Sequence, residues 1–385
     1  MPTSADIRIV PAQSNPARRD FLKLPLTLYA CAPGYAPGLL MERRAAIDPA
    51  RNPFFEHAEA AFWVAYRGDK PVGRISAQVD RLARERYGAD LGHFGYLDAI
   101  DDPAVFAALF ATAEDWLRAR GTKRVQGPFS LSINEETGLL VDGFDTRPML
   151  MMSYHPSFAR AHVEARGYAK AKDVIAYDYD VTQTLPIDSM RLIERAKADL
   201  DIRLRPLDMR RYNEDLRIIL DIFNDAWADN WGFIPMTEAE VAHTAHEMRQ
   251  IIVPDLVWIA EIDGEPVSMI VCLPNLLEAT ADLRGSLLPF GWAKLLWRLK
   301  VRGLHTGRVP LFGLRRRYHR SPYGAAVIFM LLDALRRSGV ARGIRSAELS
   351  WILEDNWAIR SIIERLGGRP YKTYRVFENT LAPPS

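Results

Sequence analysis

Two apolar runs flanking a tight polar turn occupy residues 62–75, "FWVAYRGDKPVGRI", and the pattern recurs at residues 257–270 as "VWIAEIDGEPVSMI". A shift of 195 pairs Trp63 with Trp258, Ala65 with Ala260, Pro71 with Pro266, Val72 with Val267 and Ile75 with Ile270. Five identities in 14 positions exceed the roughly one that residue frequencies supply. The same shift pairs "IRIVP" (7–11) with "IRLRP" (202–206), and a shift of 200 pairs residues 163–178 with 363–378. Three matches in one order, at nearly constant spacing, mark a tandem duplication of a domain-sized unit.

Within each copy the periodicity predicts a fixed series of elements. A short strand opens the copy, and helical segments follow ("RRDFLKLPLTLYA"; "EDLRIILDIFNDAW"), with apolar positions three and four apart. Two strands then meet at a hairpin turn, 67–70 in one copy and 263–265 in the other, where Gly-Asp and Asp-Gly suit a tight reversal. A strand leads to a long helix, "DDPAVFAALFATAEDWLRARG" or "GAAVIFMLLDALRRSG", each stopped by glycine. A strand, a helix ending at Gly167 or Gly367, and a closing strand complete the copy. The expected fold class is α/β (α+β), as two tandem domains, each a mixed central sheet flanked by helices. The copies are expected at residues 1–181 and 190–385, with a linker at 182–189 where polar residues and Pro186 interrupt the pattern.

Composition narrows the function. Apolar residues make up 48% of the 385 and charged residues 25%, as in a soluble globular protein. A net charge of +2, from 50 basic and 48 acidic residues, gives no global pull toward DNA, so any anion site is local. Cys31 and Cys272 are the only cysteines, which argues against a disulfide scaffold or zinc site and for a reducing cytoplasm. The first ten residues lack the layout of a secretory signal, and no stretch reaches the roughly 18 apolar residues of a membrane span. Nothing calls for an essential protein partner.

The order of elements, with the residues around Gly324 and Asn356, resembles the GCN5-related N-acetyltransferase (GNAT) superfamily across both copies. That resemblance implies an acyl-CoA donor, no metal, and a primary-amine acceptor. The family's acyl-CoA loop, R/Q-x-x-G-x-G/A, is similar to Ser321-Pro-Tyr-Gly324-Ala-Ala326, with Ser321 in place of Arg or Gln and Arg320 one position earlier. The implied donor contacts are Arg320, Ser321, Tyr323, Gly324, Ala325, Ala326 and Asn356. Free N–H groups at a helix start suit a pyrophosphate. A basic loop capped by glycine is the plainer alternative. Copy one opens its equivalent helix with Asp101-Asp102-Pro103, where two carboxylates would repel pyrophosphate, so donor binding is expected in copy two alone.

In "LEDNWAIRSIIERLGG", Asn356, Glu364 and Gly367 match the family's spacing, whereas Ile363 replaces the tyrosine that protonates the departing thiolate, and Gly368 replaces phenylalanine. Tyr318, His319 and Tyr374 are the substitutes. N-acylation also needs a base for the amine. Glu348, on a strand alternating Ser346, Glu348 and Ser350 with Ala347, Leu349 and Trp351, is the first candidate, a surface carboxylate being the alternative; Glu354 is the second. Asn134, Glu135 and Asp142 in "NEETGLLVDGFD" and Asn230, Trp231 and Phe233 in "NDAWADNWGF" are candidate acceptor contacts, or a turn and a packed aromatic cluster. Residues 286–305 have no counterpart in copy one. There Trp292, Leu295, Leu296 and Leu299 recur at helical spacing among Lys294, Arg298, Lys300 and Arg302. A basic helix with tryptophan suits a membrane interface or a lid over a greasy substrate, with Trp292 and Leu296 touching it; a core-packed helix carries the same stripe.

The "NEETGLLVDGF" and "NWGF" segments resemble the group that includes the bacterial ceramide synthases. That resemblance implies acylation of a sphingoid base by acyl-CoA, at the inner face of the cytoplasmic membrane. A Fem-like aminoacyl transferase and a non-catalytic tandem module that binds lipid or nucleotide stay open beside it.

Overall fold

The computed structural model describes residues 7–32, 34–249 and 251–382; the first six and last three residues of the two expected copies lie outside it. The N-terminal copy runs β1 (Ile7–Pro11), α1 (Asn15–Leu28), α2 (Leu40–Ala46), β2 (Ala58–Arg67), β3 (Lys70–Asp80) and α3 (Arg81–Tyr87). It continues with β4 (Leu91–Ala99), α4 (Pro103–Arg118), β5 (Arg124–Gly127), β6 (Leu139–Asp142), α5 (Ala159–Ala165) and β7 (Ala169–Asp180). After α6 (Ile187–Asp199), the second copy has β8 (Ile202–Pro206), α7 (Tyr212–Trp227), α8 (Glu238–Met248), β9 (Val257–Ile262) and β10 (Glu265–Pro274). Next come α9 (Leu276–Thr280), α10 (Gly291–Trp297), β11 (Thr306–Leu314), α11 (Pro322–Ala341), β12 (Ser346–Leu353), α12 (Trp357–Arg365) and β13 (Arg369–Thr380). The expected series is present in both copies; α3, β6, α6 and α9 were not anticipated.

The duplication is visible in strand register. Trp63 faces Ile75 across β2 and β3, and Trp258 faces Ile270 across β9 and β10. Pro11 and Pro206 lie opposite the same two tryptophans. Both hairpins shift register at the same point, around Val72 and Val267. A glycine at positive φ shapes each turn, Gly68 at 58° and Gly264 at 82°.

The chain divides into two units, and the cut does not fall at 182–189. The N-terminal unit holds residues up to Val174, then 280–292 and the chain from Lys372 onward; the C-terminal unit holds 175–279 and 293–371. The final strand therefore completes the N-terminal unit, where Phe377 pairs with Gly127 and Thr380 with Arg124, antiparallel. The second half of β7 sits beside β12 in the C-terminal unit, with Ser346 Oγ bonded to Asp178 at 2.6 Å. Periodicity locates a strand but does not name its partner, so each copy's closing strand was assigned to its own copy.

In the N-terminal unit the strand order is β1-β2-β3-β4-β5-β13, with β6 also on β13. One face packs under α4, where Val105, Phe106, Leu109 and Phe110 meet Trp63, Ile75 and Phe94. The other packs under α1, where Phe21 and Leu22 meet Val64 and Tyr66. In the C-terminal unit, β12-β11-β10-β9-β8 packs Ile262, Val267, Ile270 and Val309 against Val327, Leu331 and Leu335 of α11. Burial of these faces at about 25 cal/mol per Å² drives both sandwiches.

Candidate active site

In the C-terminal unit, β11 and β12 run parallel and stay in register only from Thr306↔Ser346 to Val309↔Leu349. Beyond that pair the register ends, and Trp227 Nε1 donates to the Phe312 carbonyl at 3.1 Å, with its ring edge-on to Trp351. Arg308 and Glu348 are the last polar cross-strand pair before the register ends, and both are buried. Arg308 Nε donates to Ser350 Oγ at 2.8 Å and lies 3.6 Å from a Glu348 oxygen. Ser350 Oγ and the Tyr371 hydroxyl each donate to the Glu348 carboxylate. Glu348 is thus neither a surface carboxylate nor a group among apolar neighbours. Its partners are a guanidinium, a serine and a tyrosine, because the strand face that holds it is lined by polar side chains.

Past β11 the chain turns into the loop before α11. Ser321 caps that helix, accepting the Gly324 N–H at 3.1 Å, and Pro322 follows as its first residue. A Cβ on Gly324 would lie 2.3 Å from the Tyr318 carbonyl oxygen, so the loop closes only over glycine. Arg320 is exposed and holds a left-handed φ of 59°. The expected cradle of N–H groups is smaller than anticipated. The Gly324 N–H is capped, and that of Ala325 bonds the Ser321 carbonyl at 3.2 Å, which leaves Tyr323 with the N–H outside the helical ladder. The arginines just before this loop are engaged as well: Arg315 pairs with Asp221, Arg316 with Asp225 and Asp229, and Arg317 with Glu265. The three aspartates recur every four residues along and just past α7, so they form one stripe.

The remaining candidates fall in several places. His319 Nε2 donates to the Leu314 carbonyl at 2.9 Å, and Tyr318 lies under the Arg317 guanidinium. Asn356 caps α12, and the Glu354 carbonyl accepts from Arg360. Phe233 is buried against Phe223, while Asn230 and Trp231 lie half-buried in the turn after α7. Trp292 and Leu296 are exposed on α10, a helix with no buried residue, which rules out the core-packed reading. The tyrosine that touches Glu348 is Tyr371, not Tyr374. Tyr371 is the third residue of β13, the strand one helix after Glu348, and nothing in the spacing names it.

The N-terminal unit differs where β4 and β5 part. Their register ends at His93↔Gln126, and the chain's own backbone occupies the space beyond. Phe129 N–H bonds the Phe94 carbonyl at 2.8 Å, and a Cβ on Gly95 would lie 1.7 Å from the Phe129 carbonyl oxygen. Asp102 caps α4 and binds Arg67, and Asp101 binds His162.

Beside this closure lies a polar cavity of about 40 Å³, lined by residues that include Tyr29, Tyr35, Arg43, Arg74, Tyr96, Asp98, Glu136 and His155. The Arg74–Asp98 pair is buried at 2.6 Å, and Tyr29 donates to Asp98 at 2.7 Å. Burial pushes the Asp98 carboxyl up, but Arg74, His155 and Tyr29 outweigh it and hold the group below its ordinary value. The "NEETG" loop lends Glu136 to this cavity, paired with Arg43 at 3.1 Å; Asn134, Glu135 and Asp142 are not among its walls. Among the described residues no group of His, Cys, Asp and Glu is arranged to hold a metal.

A protein of Caulobacter vibrioides (strain NA1000 / CB15N), the bacterial ceramide synthase, is 48% identical over 380 residues, covering 98% of this chain and 99% of its own. The chain belongs to the bacterial ceramide synthase family. Protein YghO of Escherichia coli (strain K12) is 45% identical over 364 residues, 94% of this chain and 93% of that one. No protein-family model matches. Among solved structures, a tandem GNAT protein from the clavulanic acid biosynthesis pathway aligns with a TM-score of 0.57 at 13% identity, covering 98% of this chain and all of that one. A GCN5-related N-acetyltransferase from Sphaerobacter thermophilus gives 0.51 at 12% identity, covering 99% and 96%. The bacterial ceramide synthase family is thus an acyltransferase family, and this member has the tandem GNAT fold.

Proposed function

We propose that this chain transfers the acyl group of an acyl-CoA to the amine of a long-chain, sphingoid-type base. The observation that carries this is the 48% identity, end to end, with the bacterial ceramide synthase. The donor enters the C-terminal unit, its pyrophosphate at Arg320, Ser321 and the Tyr323 N–H and its thioester where β11 and β12 part. The closure of the matching space by Phe129 supports donor binding in that unit alone. The amine nitrogen attacks the thioester carbonyl, forming the C–N bond as the C–S bond breaks. Tyr371 and Glu348 pass the ammonium proton to solvent before attack, and the second proton, shed by the nitrogen as the amide forms, goes to the departing thiolate. Tyr371 is half-buried and can reach solvent, whereas Glu348 is reached through it. Asn230 and Trp231 are proposed as acceptor contacts.

The acceptor's tail explains the exposed segment around α10. Leu288, Phe290 and Val301 are 79%, 78% and 70% exposed, and Trp292, Leu296 and Trp297 are exposed on α10. Residues 283–304 carry five cations and no carboxylate. Such a surface suits the headgroup layer of an anionic bilayer, where a long-chain base resides, and supports the reading that the protein works at the inner face of the cytoplasmic membrane. No helix among the described residues is long and apolar enough to cross.

The test is thiol release from palmitoyl-CoA with sphinganine against a short soluble amine, using the unmodified protein and its Tyr371→Phe and Glu348→Gln variants. Amide formation with sphinganine is expected, with kcat lowered about a hundredfold or more in each variant. No amide from sphinganine would reject the reading. Binding to phosphatidylglycerol vesicles, lost in a Leu288→Ser, Phe290→Ser, Trp297→Ser triple variant, tests the surface.

A further inference from the structure

We propose that Arg308 is a positioning residue for the proton transfer at Glu348 and Tyr371: its guanidinium anchors one oxygen of the Glu348 carboxylate, so that the other stays turned to the Tyr371 hydroxyl. The two oxygens have separate partners. Oε1 accepts from Ser350 Oγ and lies 3.6 Å from Arg308 Nε, whereas Oε2 accepts from Tyr371. Arg308 also acts on the anchored oxygen through Ser350, because Nε donates to Ser350 Oγ at 2.8 Å and Nη2 to the Ser350 carbonyl at 3.3 Å. One hydroxyl carries one proton, so a Ser350 Oγ that accepts from Arg308 is left to donate to Glu348.

Burial makes the arrangement consequential. Glu348 is 0% exposed, Ser350 2% and Arg308 4%, so the carboxylate has exchanged water for two hydroxyl donors and one guanidinium. Strand register supplies the cation directly. Arg308 on β11 faces Glu348 on β12, and its cross-strand neighbour on β10 is the apolar Leu273. The shape of the side chain matters as much as its charge. One edge of a planar guanidinium serves both the hydroxyl and the carbonyl of Ser350, whereas a lysine ammonium is a single point that cannot hold both in that orientation.

The effect is felt at Oε2. With Oε1 held, the carboxylate cannot turn about its Cγ–Cδ bond without breaking its contacts to Ser350 and Arg308, so Oε2 stays on Tyr371. An ammonium proton passed to the Tyr371 oxygen then finds the acceptor for the phenolic proton already in place. The same path, run backwards through the half-buried Tyr371, returns that proton to solvent. Arg308, Glu348, Ser350 and Tyr371 all belong to the C-terminal unit. The part that Arg308 plays in acyl transfer rests on the function proposed above; the anchoring of Glu348 does not.

The test is a double-mutant cycle on thiol release from palmitoyl-CoA with sphinganine, using the full chain, Arg308→Gln, Glu348→Gln and the two together. Arg308→Gln should lower kcat about tenfold or more, with KM for palmitoyl-CoA changed less than about twofold. In the Glu348→Gln background the same substitution should lower kcat by less than about twofold, because the group it acts through is gone. Repeating the cycle with Arg308→Lys, which keeps the charge, guards against a folding defect from a lone buried carboxylate. There the loss should be smaller than in Arg308→Gln, and again absent in the Glu348→Gln background. Equal losses in both backgrounds, a change in KM alone, or Arg308→Lys no more active than Arg308→Gln would overturn the proposal. A second readout needs no turnover. With 13Cζ-labelled tyrosine, Tyr371→Phe assigns one of the 14 signals, and that signal should move in Arg308→Gln and return most of the way in Arg308→Lys. A Tyr371 signal left in place by Arg308→Gln would overturn the anchoring. A responsive signal with no amine acylated by the unmodified protein keeps the anchoring and rejects the function; acylation with a silent signal does the reverse.

Discussion

Arg74 on β3, which also carries Gln78 and Asp80, and His93 and Asp98 on the largely apolar β4 are all buried. A charged side chain inside such a run is the signal from the sequence that would have located the N-terminal cavity. The family's loop motifs, which copy one lacks, do not point to it. His93 carries a prediction of its own. Burial pushes its imidazole down to about 4, and its ring packs edge-on against Phe129. An unfolded histidine titrates near 6.5, so between about pH 6.5 and 4 the unfolded chain binds the extra proton. The contribution is therefore full above pH 6.5 and is lost progressively as pH falls toward 4, by a few kcal/mol at most. Urea unfolding of the unmodified protein and His93→Gln at pH 7.5 and 4.5 should show a smaller pH dependence in the variant. Equal pH dependence would mean His93 is not held neutral.

At the scale of elements, the two hairpins were legible because a strand pair and its turn are local in sequence. The partners of Arg315, Arg316 and Arg317 were not. Arg315 and Arg316 meet Asp221, Asp225 and Asp229, about 90 residues earlier along and just past α7, and Arg317 meets Glu265 on β10, and periodicity names none of these partners. The α11 loop separates two effects that one substitution would confuse. A methyl group at Gly324 meets the Tyr318 carbonyl and must move the loop, so Gly324→Ala is expected to lower both CoA affinity and melting temperature. Arg320 is exposed, so Arg320→Glu should weaken CoA about tenfold or more with melting temperature nearly unchanged. Titrating CoA against both variants, with thermal unfolding alongside, checks this; unaltered affinity in Arg320→Glu would place the pyrophosphate elsewhere.

At the scale of the whole molecule, duplication and fold class could be read from three repeated segments, whereas the ownership of the closing strands could not. Whether a strand pairs within its own copy depends on which sheet edge is free, and edge pairing leaves no trace in periodicity. The C-terminal strand makes this testable. Phe377 and Val376 are fully buried, and Phe377 belongs to the core with Phe94, Phe110 and Val125, all of the N-terminal unit. Phe377→Ala should therefore cost about 3–5 kcal/mol, paid in the N-terminal unit although the residue lies near the chain's end. Native-state hydrogen exchange would read it, because the loss should appear at amides of β4 and β5 while those of β9 and β10 keep their protection. Two self-contained copies, cut between residues 182 and 189, demand the opposite result, with β9 and β10 loosened and β4 and β5 untouched. Faster exchange confined to β9 and β10 would therefore return the final strand to its own copy.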